Sequence, residues 1–270
     1  MEAEMAQEKW LVDGPKTIDI DSARTLKVGL IGGQIDIVAH DEPGVRVEVH
    51  SVSGKSLKVS VDGDTVEIDH PQLGWDNWFD VFTTWTGKAR ADVSVMVPRD
   101  IRIKLGVVSA TALVTGVTAD ASLSTVSGDV ILDSMGGDLS LNTVSGELTI
   151  RNSSGKVGAH SVSGDVTAEG GLRSFSSDSV SGSVFLDTTG IPDQIHVNTV
   201  SGGVTLRLEA DVPATNTIST VGGKLQLDEA QITGVKGRYT GKFGQLDKHW
   251  VDLRVNSVGG DISVLRTVKA

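Results

Sequence analysis

Three acidic residues, Asp129, Glu147 and Asp165, recur at steps of 18 residues, and each directly follows a glycine. Stacked carboxylates repel each other, and Ca²⁺, which prefers oxygen ligands, would relieve that repulsion. The Gly-Gly-x-Gly-x-Asp nonapeptide of calcium-binding β-rolls is absent, however. Side chains at a turn can also point into water, where salt screens their charges. We therefore expect neither a metal site nor a cofactor.

Serines recur at nearly the same spacing, at Ser127, Ser145, Ser163, Ser181 and Ser201. Such a ladder of hydroxyl groups could bind a glycan or another hydroxyl-rich ligand. It could equally be a polar outward face without a ligand, which is the commoner role of surface serines.

Catalytic motifs fail when their spacing is checked. Gly54-Lys55-Ser56 resembles the end of a phosphate-binding loop, but that motif needs a glycine where Val49 stands. The segment Ser153–Lys156 matches S-x-x-K without the S-D-N and K-T-G companions of that enzyme class. We expect no catalytic residues, and hence a protein that is not an enzyme.

The histidines show no close ligand pairing such as H-E-x-x-H. Three of them, His40, His50 and His70, lie near the ends of candidate strands. We expect these three side chains to be solvated surface residues.

These residues belong to a repeat whose most regular part is the tripeptide Val-Ser-Gly. A fixed period near 20 residues predicts a stacked-repeat architecture. The tripeptide lies at Val126–Gly128, Val144–Gly146, Val162–Gly164, Val180–Gly182 and Val200–Gly202, and Val-Gly-Gly variants lie at Val221–Gly223 and Val258–Gly260.

Apolar and polar residues alternate after each of these turns, as in Val166-Thr167-Ala168, and this period of two predicts half-buried strands. One unit of two short strands cannot bury its apolar side alone, whereas stacked units can. We therefore predict an all-β fold, a single-stranded right-handed β-helix or β-solenoid with an irregular N-terminal β cap. The alternative is a β-sandwich, which also has short strands and frequent turns.

The repeat tripeptide also leads to expectations about its own residues. We expect the valines to form an inward ladder of like side chains, one from each coil. We expect each glycine to permit either a positive φ or a close approach of two backbones at the corner.

The composition fits β structure and narrows the class of partner. The 270 residues include 32 glycines, 6 prolines and no cysteine, which excludes a disulfide framework and a thiolate metal site. The net charge of −11 argues against nucleic-acid binding.

Neither a secretory signal in Met1–Trp10 nor an apolar run long enough to span a bilayer is visible. We therefore expect a cytoplasmic protein with, at most, peripheral contact with the envelope.

We predict three sections along the chain. Residues 1–15 are an N-terminal tail. Residues 16–100 form an N-terminal β section that is either the start of the solenoid or a cap, with an aromatic insertion at 74–87. Residues 101–270 are solenoid repeats of about 18–20 residues.

The aromatic insertion contains half of all tryptophans and phenylalanines of the chain, at Trp75, Trp78, Phe79, Phe82 and Trp85. Their spacing places several of them on one face of a short helix. This segment either plugs the end of the solenoid core or binds a protein partner or a second copy. Because basic residues are absent from Trp75 to Gly87, attraction to anionic lipid is expected to be poor.

The repeat as a whole resembles the bacterial toastrack family of adhesin-like β-strand-repeat proteins, a domain of unknown function. The resemblance runs from about Thr25 to Val268 and is carried by Thr125–Val130, Thr143–Leu148 and Ser161–Val166. It implies a β-helix-like fold, no established enzymatic activity and an association with cell-envelope stress systems.

These observations favour a non-enzymatic scaffold that binds a protein partner or associates with itself, in envelope-stress sensing or regulation. A second hypothesis is a cytoskeletal filament resembling the bactofilins, which are also β-helical. A third is an adhesin or a carbohydrate-binding module, which remains open because many β-helices bind polysaccharides.

Overall fold

The computed structural model of the chain describes residues 8–70, 89–228, 230–232, 237–246 and 248–267. Within these ranges the regular elements are β-strands, and no helix is present. The predicted all-β class is confirmed. The chain divides into two compact units, residues 1–136 and residues 137–270.

The first unit has strands in two sheets. One sheet has the order β1-β6-β7-β3-β9-β11 and the other β2-β5-β8-β4-β10-β12, where the strands are β1 (Glu8–Val12), β2 (Lys16–Ile20), β3 (Thr25–Leu30), β4 (Gly33–His40), β5 (Val45–Ser53), β6 (Leu57–Asp62), β7 (Thr65–Asp69), β8 (Arg90–Pro98), β9 (Arg102–Val107), β10 (Thr111–Thr115), β11 (Ala121–Thr125) and β12 (Val130–Asp133).

Parallel coils and antiparallel strands meet in this unit. Strands β3, β9 and β11 pair in parallel, as do β4, β10 and β12. Towards the N-terminus β1 pairs antiparallel with β6, and β2 with β5. Residues 16–100 therefore contain both coil strands and antiparallel strands. Strand β1 lies inside the stretch that the sequence predicts to be a tail.

In the second unit the strands also alternate between two sheets. One has the order β13-β15-β17-β19-β25-β21-β24 and the other β14-β16-β18-β20-β26-β22-β23, where the strands are β13 (Leu139–Thr143), β14 (Leu148–Arg151), β15 (Gly155–Ser161), β16 (Val166–Gly170), β17 (Leu172–Ser179), β18 (Val184–Thr188), β19 (Gln194–Thr199), β20 (Val204–Leu208), β21 (Ala214–Thr220), β22 (Leu225–Leu227), β23 (Ala230–Ile232), β24 (Gly237–Phe243), β25 (Val251–Ser257) and β26 (Ile262–Arg266).

The last coil of the chain is inserted out of sequence order. Strand β25 lies between β19 and β21, and β26 lies between β20 and β22, all in parallel. Before returning to fill that place, the chain forms β23 and β24, which pair antiparallel with β22 and β21. Strands β23 and β24 therefore each form one edge of a sheet.

Successive coils stack in register around a shared apolar core. Leu148 lies opposite Val166, which lies opposite Val184, and the same column continues to Val204 and Ile262. All five side chains are at most 1% exposed. This stacking in parallel register confirms a β-solenoid, because a sandwich of antiparallel sheets would not produce it.

The valines of the repeat tripeptide do not lie in this core, so the expectation of an inward ladder is wrong. Val162, Val180 and Val200 are 49, 50 and 48% exposed. The reason is the in–out alternation of side chains along the strand that precedes each valine. Ser177 and Ser179 of β17 point inward, and the next residue along the alternation, Val180, therefore points outward.

The glycine of each tripeptide takes the inward place at the corner. A Cβ on Gly182 would lie 2.0 Å from the carbonyl oxygen of Gly164, and one on Gly202 would lie 1.9 Å from that of Gly182. None of these glycines has a positive φ. The close approach of two backbones, rather than an unusual φ, is what requires glycine here.

A buried hydroxyl group closes each corner from inside. The side chains of Thr143 and Ser179 each donate a hydrogen bond of 2.8 Å to the carbonyl of the glycine three residues later. At Thr199 the direction is reversed, and its hydroxyl accepts from the N–H of Gly202 at 3.0 Å. These bonds satisfy backbone groups that the core would otherwise leave unpaired.

One histidine departs from the expectation of a solvated surface. His70 is fully buried, and its Nδ1 accepts a hydrogen bond of 3.3 Å from the N–H of Ile31. Its Nε2 has no hydrogen-bond partner among the described residues. Burial, with a smaller contribution from the charge of Lys55, lowers the pKa of His70 to about 4.

The glycine stacking gives a first prediction. Replacing Gly182→Ala forces the Gly164 carbonyl to move, and we expect a loss of about 3 kcal/mol in the free energy of unfolding. Gly158→Ala is the control, because its Cβ would lie 3.5 Å from the nearest atom, the Ser176 hydroxyl oxygen, and should be tolerated. Urea unfolding of both variants measures the difference, and equal stability would contradict the stacking.

The outward position of the valines gives a second prediction. Val180→Thr should change the free energy of unfolding by less than about 0.5 kcal/mol, because the added hydroxyl reaches water. Val184→Thr should cost about 1–3 kcal/mol, because Val184 is 1% exposed and the hydroxyl is buried. A large loss in the free energy of unfolding for Val180→Thr, measured by urea unfolding, would contradict the outward position of Val180.

Buried His70 gives a third prediction. Its folded pKa lies below its unfolded value of about 6.5, so protonation favours the unfolded chain and stability falls as the pH falls through this window. Between pH 7.5 and pH 5 we expect the wild type to lose about 2 kcal/mol more than His70→Gln, which cannot titrate. Parallel pH profiles from urea unfolding of the two proteins would refute this.

Candidate binding surface

Six valines of the second unit form one exposed apolar line, here called the valine ridge. They are 39 to 66% exposed. Backbone hydrogen bonds join neighbouring turns, such as the one from the N–H of Ser181 to the carbonyl of Val162 at 2.9 Å. In spatial order the ridge consists of Val144, Val162, Val180, Val200, Val258 and Val221.

A serine column lies directly after the ridge in the chain direction and consists of Ser163, Ser181 and Ser201. Each hydroxyl donates to a carbonyl of the preceding coil, for example from Ser163 to Val144 at 2.9 Å. The hydroxyl hydrogens are therefore used within the fold. The column presents oxygen lone pairs to solvent, which makes it an acceptor surface.

A polar column lies two residues before the ridge and consists of His160, Asp178, Asn198 and Asn256. Nδ2 of Asn198 donates to Asp178 at 2.7 Å, and Nδ2 of Asn256 donates to Oδ1 of Asn198 at 2.8 Å. Nδ1 of His160 lies 3.2 Å from the other carboxylate oxygen of Asp178. This chain of contacts runs across neighbouring coils and holds the column in one conformation.

The acidic turn residues act as backbone caps. Oδ1 of Asp165 accepts a hydrogen bond of 2.7 Å from the N–H of Ser183, in the next coil. Asp138 and Asp261 make the same contact with the N–H of Lys156 and of Lys224. Among the described residues, no group of three or more metal-ligating side chains is brought together. The sequence suggested repulsion among Asp129, Glu147 and Asp165, and at Asp165 it missed the backbone N–H group that this carboxylate binds.

The aromatic residues that the sequence singles out, Trp75, Trp78, Phe79, Phe82 and Trp85, lie outside the described residues. Their role as a partner-binding segment or a plug stays a prediction. The repeat tripeptide, by contrast, marked the right residues for the ridge but predicted the wrong side of the sheet for them. Helices long and apolar enough to cross a membrane are absent from the described part of the chain.

The ridge and its two columns form an exposed surface with an apolar line between two polar flanks. Exposed apolar residues scattered singly are ordinary, whereas these six valines lie next to one another on neighbouring coils. The only titratable groups in the two columns, His160 and Asp178, lie beside each other.

The comparisons with known proteins agree with the repeat architecture. The family model of the Toastrack DUF4097 domain matches residues 24–265. No curated protein is significantly similar in sequence.

Several solved structures are similar to the chain over nearly their whole length. A putative adhesin from Bacteroides fragilis has 11% identity and a TM-score of 0.49, covering 93% of this chain and 97% of that one. A putative adhesin from Parabacteroides distasonis has 14% identity and a TM-score of 0.42, with coverage of 96% and 98%. One from Parabacteroides merdae has 11% identity and a TM-score of 0.37, with 98% of each chain covered. Because the family model spans most of the sequence and the coils stack as its repeat predicts, the chain belongs to the Toastrack DUF4097 family, a domain of unknown function.

Proposed function

We propose that this chain is a non-enzymatic scaffold that binds a protein through the valine ridge and its two flanking columns. The observation that carries the proposal is the ridge itself, six stacked valines that the fold keeps exposed. Interfaces between proteins have an apolar centre and a polar rim, and the ridge with its columns has the same layout.

The fold explains why this surface is suited to a scaffold. The corner glycines and the buried hydroxyls fix each turn, so the ridge is rigid before a partner arrives. A preorganised surface loses little conformational entropy on binding, which allows a small apolar area to give measurable affinity. A role in cell-envelope stress sensing or regulation, on the cytoplasmic side, is part of the same proposal.

Capture of partners from a lysate tests the proposal. The ridge variant combines Val162→Ser, Val180→Ser and Val200→Ser, which remove apolar surface without burying a polar group. We expect the tagged ridge variant to lose, by at least about tenfold, a protein that the wild type retains, because central apolar residues contribute most of the binding free energy.

The matched control combines Val38→Ser, Met96→Ser and Ile191→Ser, three exposed apolar residues outside the ridge, at 42, 37 and 39% exposure. This control should retain the same proteins as the wild type. If the ridge variant retains them too, the ridge is not the binding surface.

A further inference from the structure

We propose that Arg266 binds the carboxylate group of a small molecule, in a cavity at the C-terminal end of β26. The cavity has a volume of about 270 Å³ and is lined by Arg207, Asp228, Leu265, Arg266 and Thr267. It shares no residue with the valine ridge or its two columns, so this site goes beyond the proposed function.

Arg266 is a buried charge in a place where the neighbouring coil has an apolar residue. Its side chain is 7% exposed. In the register of β20 and β26 it lies opposite Leu208, which is 1% exposed. A guanidinium group loses its hydration at such a position, whereas a leucine loses nothing polar. The arginine therefore needs partners that replace the lost water.

The fold supplies a hydrogen-bond partner for one part of the guanidinium group. Nη1 of Arg266 donates a hydrogen bond of 2.7 Å to Oδ2 of Asp228, and the backbone N–H of Arg266 donates to Oδ1 of the same carboxylate at 2.9 Å. The ring of Phe243 covers one face of the group, and its centroid lies 3.6 Å from Cζ of the arginine. These contacts satisfy one nitrogen and one face.

The remaining edge of the guanidinium group is left open. Nε and Nη2 of Arg266 are buried, and neither has a hydrogen-bond partner among the described residues. These two nitrogens share one edge of the planar group, and their N–H bonds along that edge are parallel, which is the arrangement that both oxygens of a carboxylate accept together. A buried charged donor without an acceptor costs free energy, so an acceptor that enters is favoured.

Access to this edge requires a small movement. Both nitrogens are shielded from solvent, so a ligand in the cavity reaches them when the guanidinium group turns. Phe243, which covers the group, is the last residue of the edge strand β24 and is 36% exposed. Its ring can therefore move aside without opening the core.

Charge favours a carboxylate over a phosphate. The two arginines of the cavity each have one carboxylate partner already, at 2.9 Å for Arg207 and 2.7 Å for Arg266. Two further acidic residues, Glu209 and Asp211, line an adjoining cavity that shares Thr267 with this one. A dianion would meet more repulsion from these groups than an anion with a single charge.

Titration with sodium acetate, read by NMR of the arginine Nε–H groups, tests the site. The Arg266 signal, assigned by its loss in Arg266→Lys, should shift with a dissociation constant of about 1 mM, which is within the ceiling of affinity for so small a ligand. Sodium chloride at the same ionic strength should leave the signal in place. Sodium phosphate at pH 8 should bind at least about tenfold more weakly.

The two salts also define the results that would overturn the inference. An equal response to chloride and acetate would mean that the signal reports only screening of charge. Tighter binding of phosphate would overturn the choice of a carboxylate. A signal that no salt shifts would mean that Arg266 binds no anion.

Substitutions show which group binds. Acetate binding measured by calorimetry should fall at least about tenfold in Arg266→Lys, which keeps the charge but loses the planar pair of donors. The same loss is expected in Arg266→Met, and if that variant does not fold, Arg266→Lys decides. Arg254→Gln is the matched control, because Arg254 pairs with Asp252 at 2.8 Å but its side chain is 54% exposed, and acetate binding should be unchanged. Full acetate binding in Arg266→Lys would overturn the inference.

Discussion

The contact between backbones at the corner of each coil is the constraint on which the second unit depends. A glycine there lies so close to the carbonyl of the preceding corner glycine that no side chain fits between them. The same relation joins Gly202, Gly260 and Gly223, which are far apart in sequence order but adjacent in space. The glycines therefore fix the register of every coil, including the one that is inserted last, because a slip by one residue would bring a side chain into that contact.

The outward position of the valines follows from this constraint. With the glycine inward and a buried serine or threonine three residues before it, the valine between them must face solvent. A valine that is about half exposed gains only part of the free energy of full burial in the isolated chain. We attribute the repetition of valine at this place to the contact surface proposed above rather than to the core.

The architecture could be predicted from the sequence because each repeat corresponds to one coil of the stack. The alternation in segments such as Val166–Ala168 predicted half-buried strands, and these strands form the parallel column that the structure contains. The sequence did not reveal which residues point inward at the corner, because the outward valine is apolar and the inward serine or threonine is polar. Ser179 is buried only because its hydroxyl finds the Gly182 carbonyl, a contact that residue type alone does not reveal.

The order of the coils and the burial of His70 were missed for a related reason. Both depend on contacts between residues that are distant in the sequence. Gly260 stacks on Gly202 and Gly223 stacks on Gly260 in the same way, so the corner glycines do not distinguish the order of these coils, and the edge strands come between them in the chain. His70 looks like a residue at the end of a strand, and its burial follows from pairing with Ile31, 39 residues earlier.

The edges of the sheets bear on whether the chain could assemble into a filament by adding strands. In the second unit, β24 ends one sheet as an antiparallel strand with exposed Arg238 and Lys242 and with glycines at Gly237 and Gly241. Charged side chains and glycines on an edge strand oppose pairing with another chain, because they leave charge unpaired and the edge irregular. Extension of the sheet at this edge is therefore disfavoured, which argues against a filament built through β24. The ridge lies on the corner of the coils rather than at an edge, so a partner bound there would bury valines without adding a strand.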